Sequence, residues 1–196
     1  EDGTMARKKA LLNFSQKHNI KIGTIADLIN YRILNEKTVE KIEQKSVKTE
    51  YGKFNLILYK DLIFDETHLV LQKGKISKNS PTLVRVQQSN FFHDLLNINE
   101  FGARWSVSDS MKKINEVGKG IILLIDGENH KQDEFNEINA SKKRRITVPN
   151  NDPRRIGIGS QILRDLGVKK IKLMGSEVRY PSLSGFDLEV TEYIKK

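Results

Sequence analysis

The chain has 196 residues, of which 37% are hydrophobic and 30% charged, and a formal net charge of +9. That length suits one domain, or one domain with a piece of another, at roughly 100–200 residues per domain. No apolar run approaches the roughly 20 residues of a membrane-spanning helix, so no membrane association is expected. Cysteine is absent, which excludes disulfides, a thiolate nucleophile and any Cys-ligated zinc or iron–sulfur centre. The residues after Glu1 lack the basic, apolar and small-residue succession of a secretory leader, so the expected compartment is the cytoplasm.

The positive charge is uneven. Between Asn136 and Lys172 ten lysines and arginines face only Glu137, Asp152 and Asp165. Such a cluster suits a phosphate group, although a solvated surface is the commoner use of a basic run. The run Lys142-Lys143-Arg144-Arg145 has little aromatic interleaving with which to stack bases, so nucleic acid is not an expected partner.

In chain order, Ala6 to His18 places Ala10, Leu11 and Phe14 at helical spacing. Ile20-Lys21-Ile22 alternates like a short strand. Thr24 then heads a capping box closed by Asp27, before a second helix from Ile25 to about Leu34. Residues 37–45 are charged and helix-prone, with Val39 and Ile42 as their apolar pair, and predict a linker helix with a boundary near Ser46. The texture then changes. Lys53–Tyr59, His68–Gln72 and Leu83–Gln87 predict strands of an antiparallel meander, separated by turn-forming residues. A helix over Ser106–Val117, a buried strand over Gly120–Ile125, a helix over Gly159–Leu166 and a strand over Lys170–Met174 follow. Residues 126–155 are polar, basic and too long for an ordinary connection, which marks them as mobile or as part of a site.

Two families are resembled, in order along the chain. Glu1 to Arg7, Lys17-His18-Asn19 and Ile22 to Ile29 resemble the last helix and strand of 3,4-dihydroxy-2-butanone 4-phosphate synthase. Thr49 to Phe54, Pro81 to Val86, Gly118 to Ile121 and above all Ile156 to Val168 resemble GTP cyclohydrolase II. The two enzymes of riboflavin biosynthesis are fused in this order in many bacteria, so the chain looks like the C-terminal part of such a fusion. The implied fold class is α+β. Residues 1–36 are read as a remnant of the synthase, 37–45 as the linker helix and 46–196 as the cyclohydrolase II-like domain.

The resemblance also implies which sites are lost. The synthase's acidic metal-binding residues and histidine precede the blocks matched here. In cyclohydrolase II, zinc is held by one Cys, then ten residues, then Cys-x-Cys, after an Arg-Val-His-Ser-Glu segment that contacts GTP. Those cysteine positions fall on Asn90, Phe101 and Ala103. Asn offers a neutral amide oxygen, and Phe and Ala offer no ligand, so zinc is expected to be absent. The GTP-contact segment reads Arg85-Val86-Gln87-Gln88-Ser89, without its His and Glu. The family's Glu-Gly-Arg becomes Glu128-Asn129-His130, its Thr-Asn-Asn-Pro turn becomes Gly175-Ser176-Glu177-Val178, and a lysine beyond that turn becomes Tyr180. Asp152-Pro153-Arg154 keeps the family's Asp-x-Arg, whose arginine acts at the α-phosphate. Ring opening of GTP requires the zinc-activated water at C8, so Asp152 and Arg154 alone carry no reaction. Their alternatives are a local salt bridge or turn and a residual phosphate contact.

The expectation is therefore a non-catalytic cyclohydrolase II-like domain with a structural, dimerising or regulatory role. It belongs to a protein whose retained activity is the synthase reaction, a magnesium-dependent lyase step outside this chain. The expected partners are a second copy, as a homodimer, and the synthase domain of the same polypeptide. The alternative is a regulatory module that binds GTP or another anionic metabolite, with Arg85, Glu128 and Arg154 as its nucleotide contacts. A third reading, a repurposed enzyme, draws on His93 and His130 with Asp94 and Glu128 as a weak hard-metal set, while His18 and His68 lie elsewhere. Gly157-Ile158-Gly159 is read as a helix-entry turn in preference to a phosphate loop. Phe91, Phe92, Phe101 and Trp105 supply apolar bulk to refill the space that zinc and its cysteines occupied.

Overall fold

In the computed structural model the described residues are 5–24, 27–28, 31–32, 35–88, 94, 104–125, 153–178 and 180–196. The chain divides into two units, Glu1–Glu36 and Lys37–Lys196.

In the first unit, α1 spans Lys8–His18 and buries none of its residues. It ends where Asn19 adopts a left-handed conformation at φ 52°, with Lys17 and His18 in the last turn, where cations complement the helix dipole. The capping box forms: the Thr24 backbone N–H and hydroxyl donate to Asp27 Oδ2 at 3.2 and 2.7 Å, and the Asp27 N–H returns a bond to Thr24 Oγ1 at 3.0 Å. Ile20-Lys21-Ile22 is not a strand, and among the described residues of this unit no strand is present to pair with it.

The second unit is built on one mixed seven-stranded sheet. Its strands are β1 (Val39–Thr49), β2 (Gly52–Asp61), β3 (Thr67–Lys73), β4 (Thr82–Gln88), β5 (Gly120–Ile125), β6 (Lys170–Met174) and β7 (Glu189–Ile194), in the order β1-β2-β3-β5-β4-β6-β7. Among the described residues two helices accompany it, α2 (Val107–Val117) and α3 (Pro153–Asp165), with a 3-10 segment over Pro181–Phe186.

Three expectations change here. The predicted linker helix is strand β1. Its Glu, Lys and Gln favour a helix locally, but its backbone pairs with the whole of β2, from Val39 opposite Asp61 to Thr49 opposite Gly52, and Val39 is buried. A register shift between Lys41 and Glu43 leaves Ile42 exposed. The antiparallel meander holds only through β3. Strand β5 sits between β3 and β4, and the β5–β4, β4–β6 and β6–β7 pairs are parallel. Finally, α3 begins at Pro153, so Gly157-Ile158-Gly159 lies inside the helix and neither enters it nor forms a phosphate loop.

Gly159 serves packing. A Cβ on Gly159 would lie 3.3 Å from Ile125 Cδ1 and 3.9 Å from Val86 Cγ1, so α3 packs closely on the face presented by Val86, Leu123 and Ile125. The opposite face carries Phe54, Leu83, Ile122 and Met174, packed against Met111 and Ile114 of α2. Helix α2 starts where Ser106 Oγ accepts the Asp109 N–H at 3.1 Å and stops at Gly118, φ 76°. Strand β1 and the end of α3 are tied by Thr38, whose N–H donates to Gln161 Oε1 at 2.8 Å. Tyr59 and Lys37 both donate to Asp165 at 2.8 Å. No helix of the described residues is long and apolar enough to cross a membrane.

Candidate functional site

Parallel strands send the chain out of the sheet at one edge, and open α/β sheets place ligands at the carboxyl ends of such strands. Strands β4 and β5 are parallel with Gln88 opposite Ile125, so the chain leaves both at the same edge. The cluster of positions singled out in the sequence follows these exits: Asn90, Phe101 and Ala103 come after β4, and Glu128 and Asp152 after β5. All five lie outside the described residues, as do Phe91, Phe92, His93 and His130.

Arg85 is described, and it is committed to the fold. Its Nε donates to Gln87 Oε1 at 2.8 Å, Nη1 to the Met174 carbonyl at 2.9 Å and Nη2 to the Trp105 carbonyl at 3.1 Å. Gln87 Nε2 donates to Asp94 Oδ2 at 2.8 Å, and Asp94 Oδ1 accepts the Val107 N–H at the start of α2 at 3.0 Å. One hydrogen-bonded chain thus joins β6, β4 and α2. Burial pushes the Arg85 guanidinium down to about 10, against the opposing pull of Asp94, so it remains a cation at neutral pH. A Cβ on Gly175 would meet Nη1 at 3.4 Å, an ordinary van der Waals contact. Tyr180 has its hydroxyl pushed up by burial and by Tyr193, with Arg85 opposing. Trp105 packs against the α2-side core and donates Nε1–H to the Ile194 carbonyl at 3.0 Å.

Arg154 lies in the first turn of α3. Its Nη2 is 2.5 Å from Glu66 Oε2, and its guanidinium carbon is 3.4 Å from the Phe64 ring centroid. The bridge is largely shielded, with side-chain exposures of 27% for Arg154 and 20% for Glu66.

The two arginines do not converge. Side chains alternate across a strand, and Val86 faces α3, so Arg85 faces the α2 side while Arg154 belongs to the helix on the other side. Sequence reasoning also passed over Asp61 and Glu66, which flank the β2–β3 turn beside His68. The available signal was the spacing Asp-x4-Glu-x-His across a predicted hairpin.

Comparison with known proteins agrees with this architecture. The model of the family described as GTP cyclohydrolase II matches residues 40–195. A protein of Pseudomonas aeruginosa named 3,4-dihydroxy-2-butanone 4-phosphate synthase is 44% identical, over 99% of this chain and 53% of its own length. A riboflavin biosynthesis protein RibBA of Aquifex aeolicus is 38% identical, over 99% of this chain and 51% of its own. The crystal structure of RibBX, a two-domain 3,4-dihydroxy-2-butanone 4-phosphate synthase from A. baumannii, aligns at a TM-score of 0.63 and 39% identity, covering 100% of this chain and 52% of that one. The chain therefore spans about half the length of the relatives it matches.

Proposed function

The chain belongs to the GTP cyclohydrolase II family, and we propose that within it this is a non-catalytic domain of a riboflavin-biosynthesis protein whose retained activity is 3,4-dihydroxy-2-butanone 4-phosphate synthesis. The reading rests on one observation: the positions of the zinc cysteines hold Asn90, Phe101 and Ala103 in a chain without cysteine. That donor set does not fit the family's zinc, and without an activated water the Asp152–Arg154 remnant has no nucleophile to work with. The names of the relatives, which extend well beyond the matched half, support placing the synthase outside this chain.

On this reading residues 1–36 are the synthase's C-terminal remnant. The exposed apolar side chains Leu11, Phe14, Ile20 and Leu28 are then covered by the rest of that domain. The domain acts as a structural, dimerising or regulatory partner in a cytoplasmic homodimer, and magnesium belongs to the synthase portion. The test is GTP turnover and zinc content of this chain beside an active cyclohydrolase II. Expected are no GTP consumed and no zinc at the lost-cysteine positions; steady turnover would overturn the reading.

The uneven charge favours a second reading, a module that binds GTP or another anionic metabolite and regulates the synthase. Calorimetric titration with GTP separates the two. Saturable heat that weakens in Arg154→Ala supports the regulatory module, and no heat supports the scaffold.

A further inference from the structure

The β2–β3 turn gathers a set of metal-binding donors away from the strand exits considered above. Asp61 ends β2 and His68 lies near the start of β3, where His68 pairs with Tyr59. The turn is closed by the Asp61 N–H donating to the Glu66 carbonyl at 2.8 Å. One carboxylate oxygen each from Asp61 and Glu66 and one ring nitrogen of His68 lie within 4.8 Å of one another. Asp61 and His68 are buried, at 1% and 0% exposure.

A second observation points to a ligand. Asp61 is held in a fixed orientation by its Oδ1, which accepts the Ile63 and Phe64 N–H groups at 2.8 and 3.3 Å. Its other oxygen, Oδ2, is buried and has no hydrogen-bond partner among the described residues. A buried charged acceptor without a donor costs at least about 1–3 kcal/mol, and a cation at that position removes the cost.

We propose that Asp61, Glu66 and His68 form a site for a divalent first-row transition ion. Two ligand atoms each about 2.1 Å from one ion stand no more than about 4.2 Å apart, so a small inward adjustment brings this trio to ligand distance, with water filling the remaining positions. Two carboxylates and one imidazole suit Mn2+, Fe2+ or Zn2+. The imidazole disfavours Mg2+, and the oxygens are too few for Ca2+. The Arg154 contact engages Glu66 Oε2. With two carboxylates against one guanidinium, the pocket retains a negative charge to attract it. The site is separate from the positions of the family's zinc cysteines and does not depend on the function proposed above.

The test uses the full chain, free of affinity tag and stripped with chelator. It is titrated with Mn2+ followed by electron paramagnetic resonance, and then with Zn2+ as competitor. One equivalent of Mn2+ displaced by Zn2+ is expected, with affinity falling about tenfold or more in Asp61→Asn and in Glu66→Gln, equivalent to about 1.4 kcal/mol or more. Asp65→Asn, on an exposed neighbour, leaves binding unchanged. No saturable binding, or binding undiminished in Asp61→Asn, overturns the proposal. Should Asp61→Asn fail to fold, wild-type protein loaded with Co2+ decides the matter: paramagnetically shifted His68 ring resonances support the site, and unshifted ones overturn it.

Discussion

Arg154 and Glu66 meet at 2.5 Å and join the first turn of α3 to the β2–β3 turn. The carboxylate pairs with the guanidinium that the sequence offered as a phosphate contact. Charge-assisted pairs of this kind are strong when shielded and weak when solvated, and this one is intermediate. Glu66→Ala is expected to lower stability by about 1–2 kcal/mol. A double-mutant cycle with Arg154→Met, read by urea unfolding, should return a coupling of about 1 kcal/mol; additive single effects would show the bridge to be energetically idle.

Arg85 should behave as a structural residue. Arg85→Met strands the Met174 and Trp105 carbonyls and the Gln87 amide oxygen, at an expected cost of about 2–4 kcal/mol. Arg85→Lys should recover little of it, since an ammonium cannot reproduce the three-way fork. The urea midpoint of each variant measures this, and a near-wild-type midpoint for Arg85→Met would return Arg85 to the list of free anion contacts.

Asp165 gives the acid limb of stability. Burial alone would raise its carboxyl, but hydrogen bonds from Lys37 and Tyr59 outweigh that and hold it below the ordinary 3.8. With the folded value depressed, its contribution is fully present above the unfolded value. It is lost as pH falls below about 4 through the folded one. Asp165→Asn is therefore expected to destabilise at pH 7 and to converge on wild type as pH falls through the depressed folded value, measured as urea midpoints down the acid range. A constant difference at all pH values would mean that packing, not charge, is responsible.

Gly120 lets α2 approach the sheet closely. A Cβ there would fall 2.7 Å from Ile114 Cγ1 and 2.8 Å from the Leu83 carbonyl. The backbone oxygen cannot swing aside as a side chain can. Gly120→Ala should cost about 2–3 kcal/mol in urea unfolding, whereas Gly118→Ala meets no atom within 4 Å and is strained only by its positive φ.

Much of the local structure was legible. Strands β2, β5 and β6 show as apolar runs between turn residues, and α2 shows through Ser106 and the Met111–Ile114 spacing. Strand β1 was not legible, because its Lys, Glu and Gln side chains face water and only its ladder to β2 makes it a strand. Strand β7 carries too short and too mixed a pattern to stand out. The family resemblance assigned the zinc-cysteine positions to Asn90, Phe101 and Ala103, all of which lie outside the described residues. The placement of the arginines needed the structure, because the groups that hold Arg85 are carbonyls of residues 105 and 174, and a carbonyl leaves no trace in residue type. The Asp61, Glu66 and His68 grouping was equally hidden, since it depends on which way a six-residue turn folds its side chains.

The strand order has a temporal consequence. Strand β4 lies between β5 and β6, and both are made after it on the ribosome. Until Met174 has emerged, β4 has an open edge on the side that β6 will take. With β5 set between β3 and β4, this sheet then grows outward through β6 to β7, and a nascent chain halted between Ile125 and Lys170 would present β4 as an unpaired edge. Such a chain is the form most in need of chaperones, and pairing that waits on distant sequence is also what makes folding slow.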